Sequence, residues 1–209
     1  MKNQILCCLL ALLPFMGNGQ GNLQNQLKSK QVTLPNGWKL SPHGSSIALG
    51  DLPLNVVVSP NQKYIAVTNN GQSIQSLQLI DVATKQVLDS KELPKSWYGL
   101  KVAADNKTVF VSGGNDNLII VFEIQDGQLV EKDKIALSTD KKATISPAGI
   151  EYDDAKDLLY VVTKENNSLY VIQAKTKNVL AVHKLPAEAF TCLLNKKKDV
   201  LYISVWEIG

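Results

Sequence analysis

Short apolar runs recur along this chain at near-regular intervals, each introduced by a turn marked with proline, aspartate or lysine. Residues 64–68, 108–112, 158–162 and 200–204 are such runs, and their central residues Ala66, Phe110, Tyr160 and Tyr202 stand 44, 50 and 42 positions apart. Apolar runs of this length bounded by turn residues read as strands. From Val32 onward no stretch carries the 3.6-residue period of an amphipathic helix over three turns.

Within one repeat the pattern predicts four strands. In the first copy they cover 56–58, 64–68, 77–82 and 87–91, joined by the turn sequences 59–63, 69–73 and 83–86. The second copy runs from 100 to 137, and its third strand aligns Glu123 with Asp81 at a spacing of 42. In the third copy Gln173 takes that place, 50 positions beyond Glu123, so the extra residues fall between repeats, in 131–147. Insertions in repeat proteins fall in loops, and this segment, with Asp140, Lys141 and Lys142, is expected as an exposed excursion.

Four-stranded antiparallel units at this period are the blades of a β-propeller. The expected fold is therefore all-β, with blades at about 54–93, 98–137, 147–186 and an incomplete one at 189–209. A propeller closes with about four to eight blades, and about three and a half make an incomplete ring. The sequence thus reads as a fragment of a longer reading frame or as part of a two-chain ring. The stretch 32–47 is expected to supply the outer strand that completes the last blade of an intact ring.

Composition places the chain among folded proteins, at 44% hydrophobic and 20% charged residues with a net charge of +3. All 22 basic residues are lysine. Arginine is the side chain best suited to bidentate capture of phosphate or guanine, so its absence argues against a nucleic-acid reader. The run Lys196, Lys197 and Lys198 is expected in a solvated hairpin turn. At the N-terminus Lys2, the apolar stretch 5–16 and the small residues Gly17 and Gly19 form a signal peptide over 1–19, cleaved before Gln20. A stretch of 12 residues falls short of the roughly 20 that span a bilayer, so export to the periplasm or medium is expected, without a membrane span. Residues 20–31, rich in Gln, Asn and Gly, read as a linker. Cys7 and Cys8 leave with the signal. Cys192, alone in the mature chain, is expected as a buried, inert thiol.

The second-strand segments, among them Ala66-Val67-Thr68-Asn69 and Phe110-Val111-Ser112-Gly113, resemble the Tyr-Val-Thr-Asn type of propeller repeat. The turn at 59–63 is similar to the Ser-Pro-Asp-Gly-Lys turn of those repeats, with Asn61 and Gln62 as departures. Leu34-Pro35-Asn36-Gly37-Trp38, Asp51-Leu52-Pro53, Ser96-Trp97-Tyr98-Gly99 and the segment 112–117 resemble exported propellers fused to a phosphoesterase of the alkaline phosphatase superfamily. That resemblance covers about 32–206 and implies a ring of about seven blades, with the metal ligands and nucleophile in a downstream domain.

Topology says which loops share a surface. The lead-in loop of each blade and the loop between its second and third strands face one rim. Here those loops are 50–55, 96–99 and 146–149, and 69–73, 113–117 and 164–167. Asn69, Asn70, Trp97, Tyr98, Asn115, Asp116 and Asn117 are the candidate ligand-binding residues, suited to hydrogen bonding a polar ligand and to stacking on it. The same Asn and Gly residues also suit tight turns, since both tolerate positive φ, and Trp97 equally suits the gap between blades. His43 and His183 lack partners at ligand spacing, and no Asp-x-Asp-x-Asp loop, Gly-x-Ser-x-Gly elbow or phosphate loop occurs. No cofactor and no metal is expected. The leading functional expectation is a non-catalytic binding or scaffold module whose partner is a polar ligand or a partner domain. The alternatives are the propeller half of a phosphoesterase and a lactonase-like hydrolase.

Overall fold

The computed structural model describes residues 32–40, 45–140 and 142–206. The signal and linker segments, Cys7, Cys8, His43 and Lys141 lie outside the described residues. The chain divides into two compact units, 1–46 and 47–209. In the first, β1 (Val32–Thr33) and β2 (Lys39–Leu40) pair antiparallel as a short hairpin around Gly37, whose φ of +83° suits glycine.

The second unit is a succession of antiparallel sheets. Blade 1 holds β3 (Pro53–Val58), β4 (Tyr64–Asn69), β5 (Ser76–Asp81) and β6 (Val87–Glu92) in sequence order. Blade 2 holds β7 (Leu100–Val102), β8 (Thr108–Ser112), β9 (Leu118–Gln125) and β10 (Gln128–Ala136). Blade 3 holds β11 (Pro147–Asp153), β12 (Leu158–Thr163), β13 (Ser168–Gln173) and β14 (Asn178–Lys184). β15 (Ala189–Leu194) and β16 (Leu201–Val205) form a two-stranded fourth sheet. The fold is an all-β propeller with an incomplete ring, as the repeat pattern predicts.

Asp81, Glu123 and Gln173 occupy equivalent positions, opposite the first residues of their neighbouring strands, Tyr64, Thr108 and Leu158. In blade 1 Asp81 Oδ1 accepts from the Thr84 N–H and hydroxyl at 2.7 and 2.9 Å, closing the turn that follows. The outermost strands share a further feature. Each carries one extra residue, Leu88 in β6, Lys132 in β10 and Leu180 in β14, where the pairing register shifts. A bulge leaves its extra residue unpaired and sharpens the twist, which fits the exposure of Leu88 and Leu180 on these rim-ward strands.

The strict alternation of side chains across each strand gives every inner blade two apolar faces. Val109, Val111, Ile120 and Phe122 of blade 2 pack on Tyr64, Leu77 and Leu79 of blade 1. Phe110 and Ile119, one residue out of step, pack on Ile150, Leu159 and Val161 of blade 3. A third cluster joins Ala148 and Val162 of blade 3 to Ala189 and Cys192 of the fourth sheet. The core is thus a series of layers between blades. Polar links on one rim run in the same order: the Asn61 N–H donates to Asn106 Oδ1 at 2.7 Å, the Ala104 N–H to Asp154 Oδ1 at 2.7 Å, and Lys198 Nζ to Asp153 and Asp154 at 3.3 Å.

The stretch 131–147 departs from the expected exposed excursion. Glu131–Ala136 continues β10, whose pairing with β9 runs on past the bulge at Lys132 as far as Leu118, and only 137–146 leaves the sheet. Even there Leu137 and Ile145 are buried against blade 3.

Candidate functional site

The register of the inner strands brings the expected loops to one rim. Pro53 pairs with Asn69, Pro147 pairs with Thr163, and the Ser112 N–H donates to the Gly99 carbonyl at 2.8 Å. Several rim residues hold the rim itself together. Asp51 Oδ2 accepts from the Ser73 N–H and hydroxyl at 3.2 and 3.1 Å, tying the lead-in loop of blade 1 to the loop after β4. Asn69 is wholly buried at the end of β4, and its Nδ2 donates to Ser76 Oγ at 3.1 Å and to Gln78 Oε1 at 3.0 Å. Asn117, left-handed at φ 56°, accepts at Oδ1 from the Ile145 and Ser146 N–H groups at 3.0 Å and donates from Nδ2 to the Ala143 carbonyl at 2.6 Å. Its side chain therefore anchors the excursion to blade 2.

Asn70, Trp97 and Asn115 take a different place. Together with Gln75, Lys95, Ser96, Lys164 and Glu165 they line a cavity of about 300 Å³ where the loops of three blades meet. Asn115 lies in a short 3₁₀ turn (Gly114–Asp116), and its Oδ1 accepts from the Ser146 hydroxyl at 2.8 Å. Gly114 sits at φ +52°, and a Cβ there would stand 3.1 Å from the Ser96 carbonyl oxygen, so glycine lets this turn close over the cavity. Trp97 has two sets of neighbours. It packs against the apolar cluster between blade 3 and the fourth sheet, it lines the cavity, and Lys164 Nζ stands 5.8 Å from its ring centroid. Asp116 is exposed on the turn and outside the cavity lining.

Tyr98 lies on the channel side. Its ring stacks on Phe190 at 4.6 Å, its carbonyl accepts from Asn55 Nδ2 at 2.7 Å, and it borders a separate cavity of about 320 Å³ formed by the inner strands. There Lys101 Nζ and Glu151 Oε2 pair at 2.7 Å. Cys192 borders the same cavity as a free thiol, and burial, assisted by the Glu151 charge, pushes its pKa up to about 12. A thiol so held stays protonated at neutral pH and is a poor nucleophile.

A larger cleft of about 770 Å³ opens on the opposite rim between blades 1 and 2. Two of its three carboxylates are committed to local turns: Asp81 holds Thr84, and Asp105 accepts from the N–H groups of Lys107 and Thr108 and from the Thr108 hydroxyl. The smaller rim cavity, with uncommitted donors, is the better candidate. Of the other lining residues, Ser96, Lys164 and Glu165 lie within the loops that the sequence reading named without being singled out as ligand-binding, and Gln75 and Lys95 sit just outside them. The repeat pattern leaves Gln75 between the turn at 69–73 and the strand at 77–82 and gives no sign that its amide faces the next blade's lead-in loop.

Among the described residues no helix is long and apolar enough to cross a membrane. No protein-family model and no curated protein matches the chain. Solved structures do. A functionally unknown protein from Desulfotomaculum acetoxidans superposes with a TM-score of 0.64 at 13% identity, over 80% of this chain and 51% of that one. The β-propeller domain of Cps50 (Swd1) from Myceliophteria thermophila gives 0.58 at 16% identity, over 73% and 50%. The WD40 repeats of RRP9 give 0.53 at 13%, over 70% and 43%. These likenesses carry the propeller fold alone. The chain spans about half the length of the propellers it matches.

Proposed function

We propose that this chain is a non-catalytic binding module of the Tyr-Val-Thr-Asn propeller type, exported by its N-terminal leader, whose loop rim holds a polar ligand or a partner domain. The observation that carries this reading is the convergence of Asn70, Trp97 and Asn115 with Lys164 and Glu165 around one cavity, from loops of three successive blades. Such a site exists only when the blades are assembled, which is how a repeat fold turns turn residues into a recognition surface. A hydrolase calls for an acid and a base open to substrate. The charged pair in the channel, Lys101 and Glu151, is closed on itself at 2.7 Å, and this supports binding over catalysis.

The test is a thermal-shift panel of sugars, sugar acids and short peptides on the wild-type protein and on Trp97→Ala and Asn115→Ala. At least one compound is expected to raise the melting temperature of the wild type and of neither variant, with far-UV circular dichroism unchanged. A panel in which every response survives both substitutions overturns the reading. Export is checked separately by fractionation and by the mature N-terminus, expected at Gln20.

A further inference from the structure

The rim cavity presents more free donors than free acceptors. Gln75 Oε1 accepts the Ser96 N–H at 2.6 Å. A backbone N–H only donates, so this bond fixes the amide orientation and turns Gln75 Nε2 outward as a donor. Ser96 and Trp97 line the cavity, and their hydroxyl and indole nitrogen lie buried behind its surface with no hydrogen-bond partner. A buried donor without an acceptor is costly, and native proteins tolerate few of them. Asn115 spends its oxygen on the Ser146 hydroxyl and keeps its amide N–H groups. Lys95, Lys164 and Glu165 line the cavity, and Lys164 Nζ stands 3.8 Å from both Glu165 and Glu188, at the outer limit of an ion pair.

We infer that this cavity takes a small polyhydroxylated anion, a sugar acid or sugar phosphate, with the anion between Lys95 and Lys164 and the hydroxyl oxygens accepting from Gln75 and Asn115. The inference rests on the binding-module reading and adds the ligand class to it. A volume of about 300 Å³ is at the lower end of ligand sites and suits a single sugar ring. Lysine pairs with carboxylate and phosphate as a point charge, so the chain's lack of arginine is no obstacle. Glu165 sets the polarity of the site: it offsets one lysine and repels a second anion.

The experiment follows the indole N–H resonance of Trp97, assigned by its loss in Trp97→Phe, during titration with glucose, glucuronate and glucose 6-phosphate at constant ionic strength. The resonance is expected to shift saturably with glucuronate or glucose 6-phosphate, with glucose binding at least about tenfold more weakly. The preferred anion identifies the group. Lys95→Ala and Lys164→Ala each weaken that binding by about tenfold, the size of a lost charge-assisted contact. Glu165→Gln strengthens it, a gain that misfolding cannot imitate. Equal binding of glucose and both anions overturns the anion assignment while leaving a ligand-binding rim. No shift with any of the three overturns it too, and the thermal-shift panel then decides the rim reading on its own.

Discussion

Gly149 lies against Thr191: a Cβ on Gly149 would stand 2.5 Å from the Thr191 Cα and 2.9 Å from the Cys192 nitrogen. A similar close approach occurs one blade earlier, where a Cβ on Gly99 would run into the Ala148 carbonyl oxygen. Asn55, Gly99, Gly149 and Thr191 are equivalent in the repeat, and Asn55 spans the same junction with its side chain, donating to the Tyr98 carbonyl. Inner strands of neighbouring blades approach closely here, and backbone cannot swing aside as a side chain can. Gly149→Ala is expected to cost about 1–3 kcal/mol through overpacking. Urea unfolding should show a lower midpoint with an unchanged slope, and an unchanged midpoint would refute the close contact.

Asn117 and Asn115 separate a structural role from a recognition role two residues apart. Asn117→Ala removes three hydrogen bonds to the 143–146 segment and places alanine at φ 56°. Two backbone N–H groups lose their acceptor, so the expected cost is about 2–4 kcal/mol, with faster proteolysis within 137–146. Asn115→Ala loses one bond on an exposed turn and should cost no more than about 1 kcal/mol. Limited proteolysis of the two variants side by side checks this, and equal protection would contradict the anchoring role of Asn117.

The architecture was legible because it rests on period-2 strands repeated at fixed spacing. The equivalence of Asp81, Glu123 and Gln173 survives in the register without adjustment. The rim was legible as a set of loops, since strand direction alone decides which loops meet. Which side chains on it stay free was not. Asn69 and Asn70 are adjacent and chemically identical, yet one is buried beneath Ser76 and Gln78 and the other lines the cavity. That choice depends on packing between blades, as does the contribution of Gln75 and Lys164. The extent of the excursion was misjudged for a related reason: β9 and β10 run for 8 and 9 residues, against 6 each for β5 and β6, and so keep part of 131–147 in the sheet.

Asp157 gives blade 3 a defined response to acid. Burial raises the pKa of its carboxyl, but hydrogen bonds from the Tyr152 hydroxyl, Gln173 Nε2 and the Lys175 N–H, at 2.8, 2.6 and 3.1 Å, outweigh it and hold the pKa below the ordinary carboxylate value. A pKa depressed by folding contributes stability that is present above the unfolded value of about 3.9 and is lost as pH falls through the folded value. Tyr152 is the mirror case: burial first, then Asp157, raises its pKa, so its contribution is present below the phenol's ordinary value of about 10 and lost as pH rises through the raised one. Asp157→Asn should be less stable at neutral pH and lose less stability than wild type between about pH 5 and pH 3. Urea midpoints at the two pH values measure this, and parallel pH profiles for the two proteins would exclude the assignment.

Leu193 and Tyr202 are direct cross-strand partners on β15 and β16, so their side chains share a face, and they are 60% and 61% exposed. Their neighbours Cys192 and Ile203 point the other way, into the cluster with blade 3. On β3, at the other end of the blade series, Val56 and Val58 are 57% and 51% exposed. Inner blades bury both faces, whereas these two flanks carry the same apolar alternation with nothing among the described residues over them. Exposed strand-borne apolar faces are sites of association. The protein is expected to associate with rising concentration, and Leu193→Lys with Tyr202→Lys should suppress this while changing unfolding free energy by no more than about 1 kcal/mol, since neither side chain belongs to a core cluster. Light scattering coupled to gel filtration reads the mass directly. A wild-type protein that stays monomeric at every concentration tested would overturn the association.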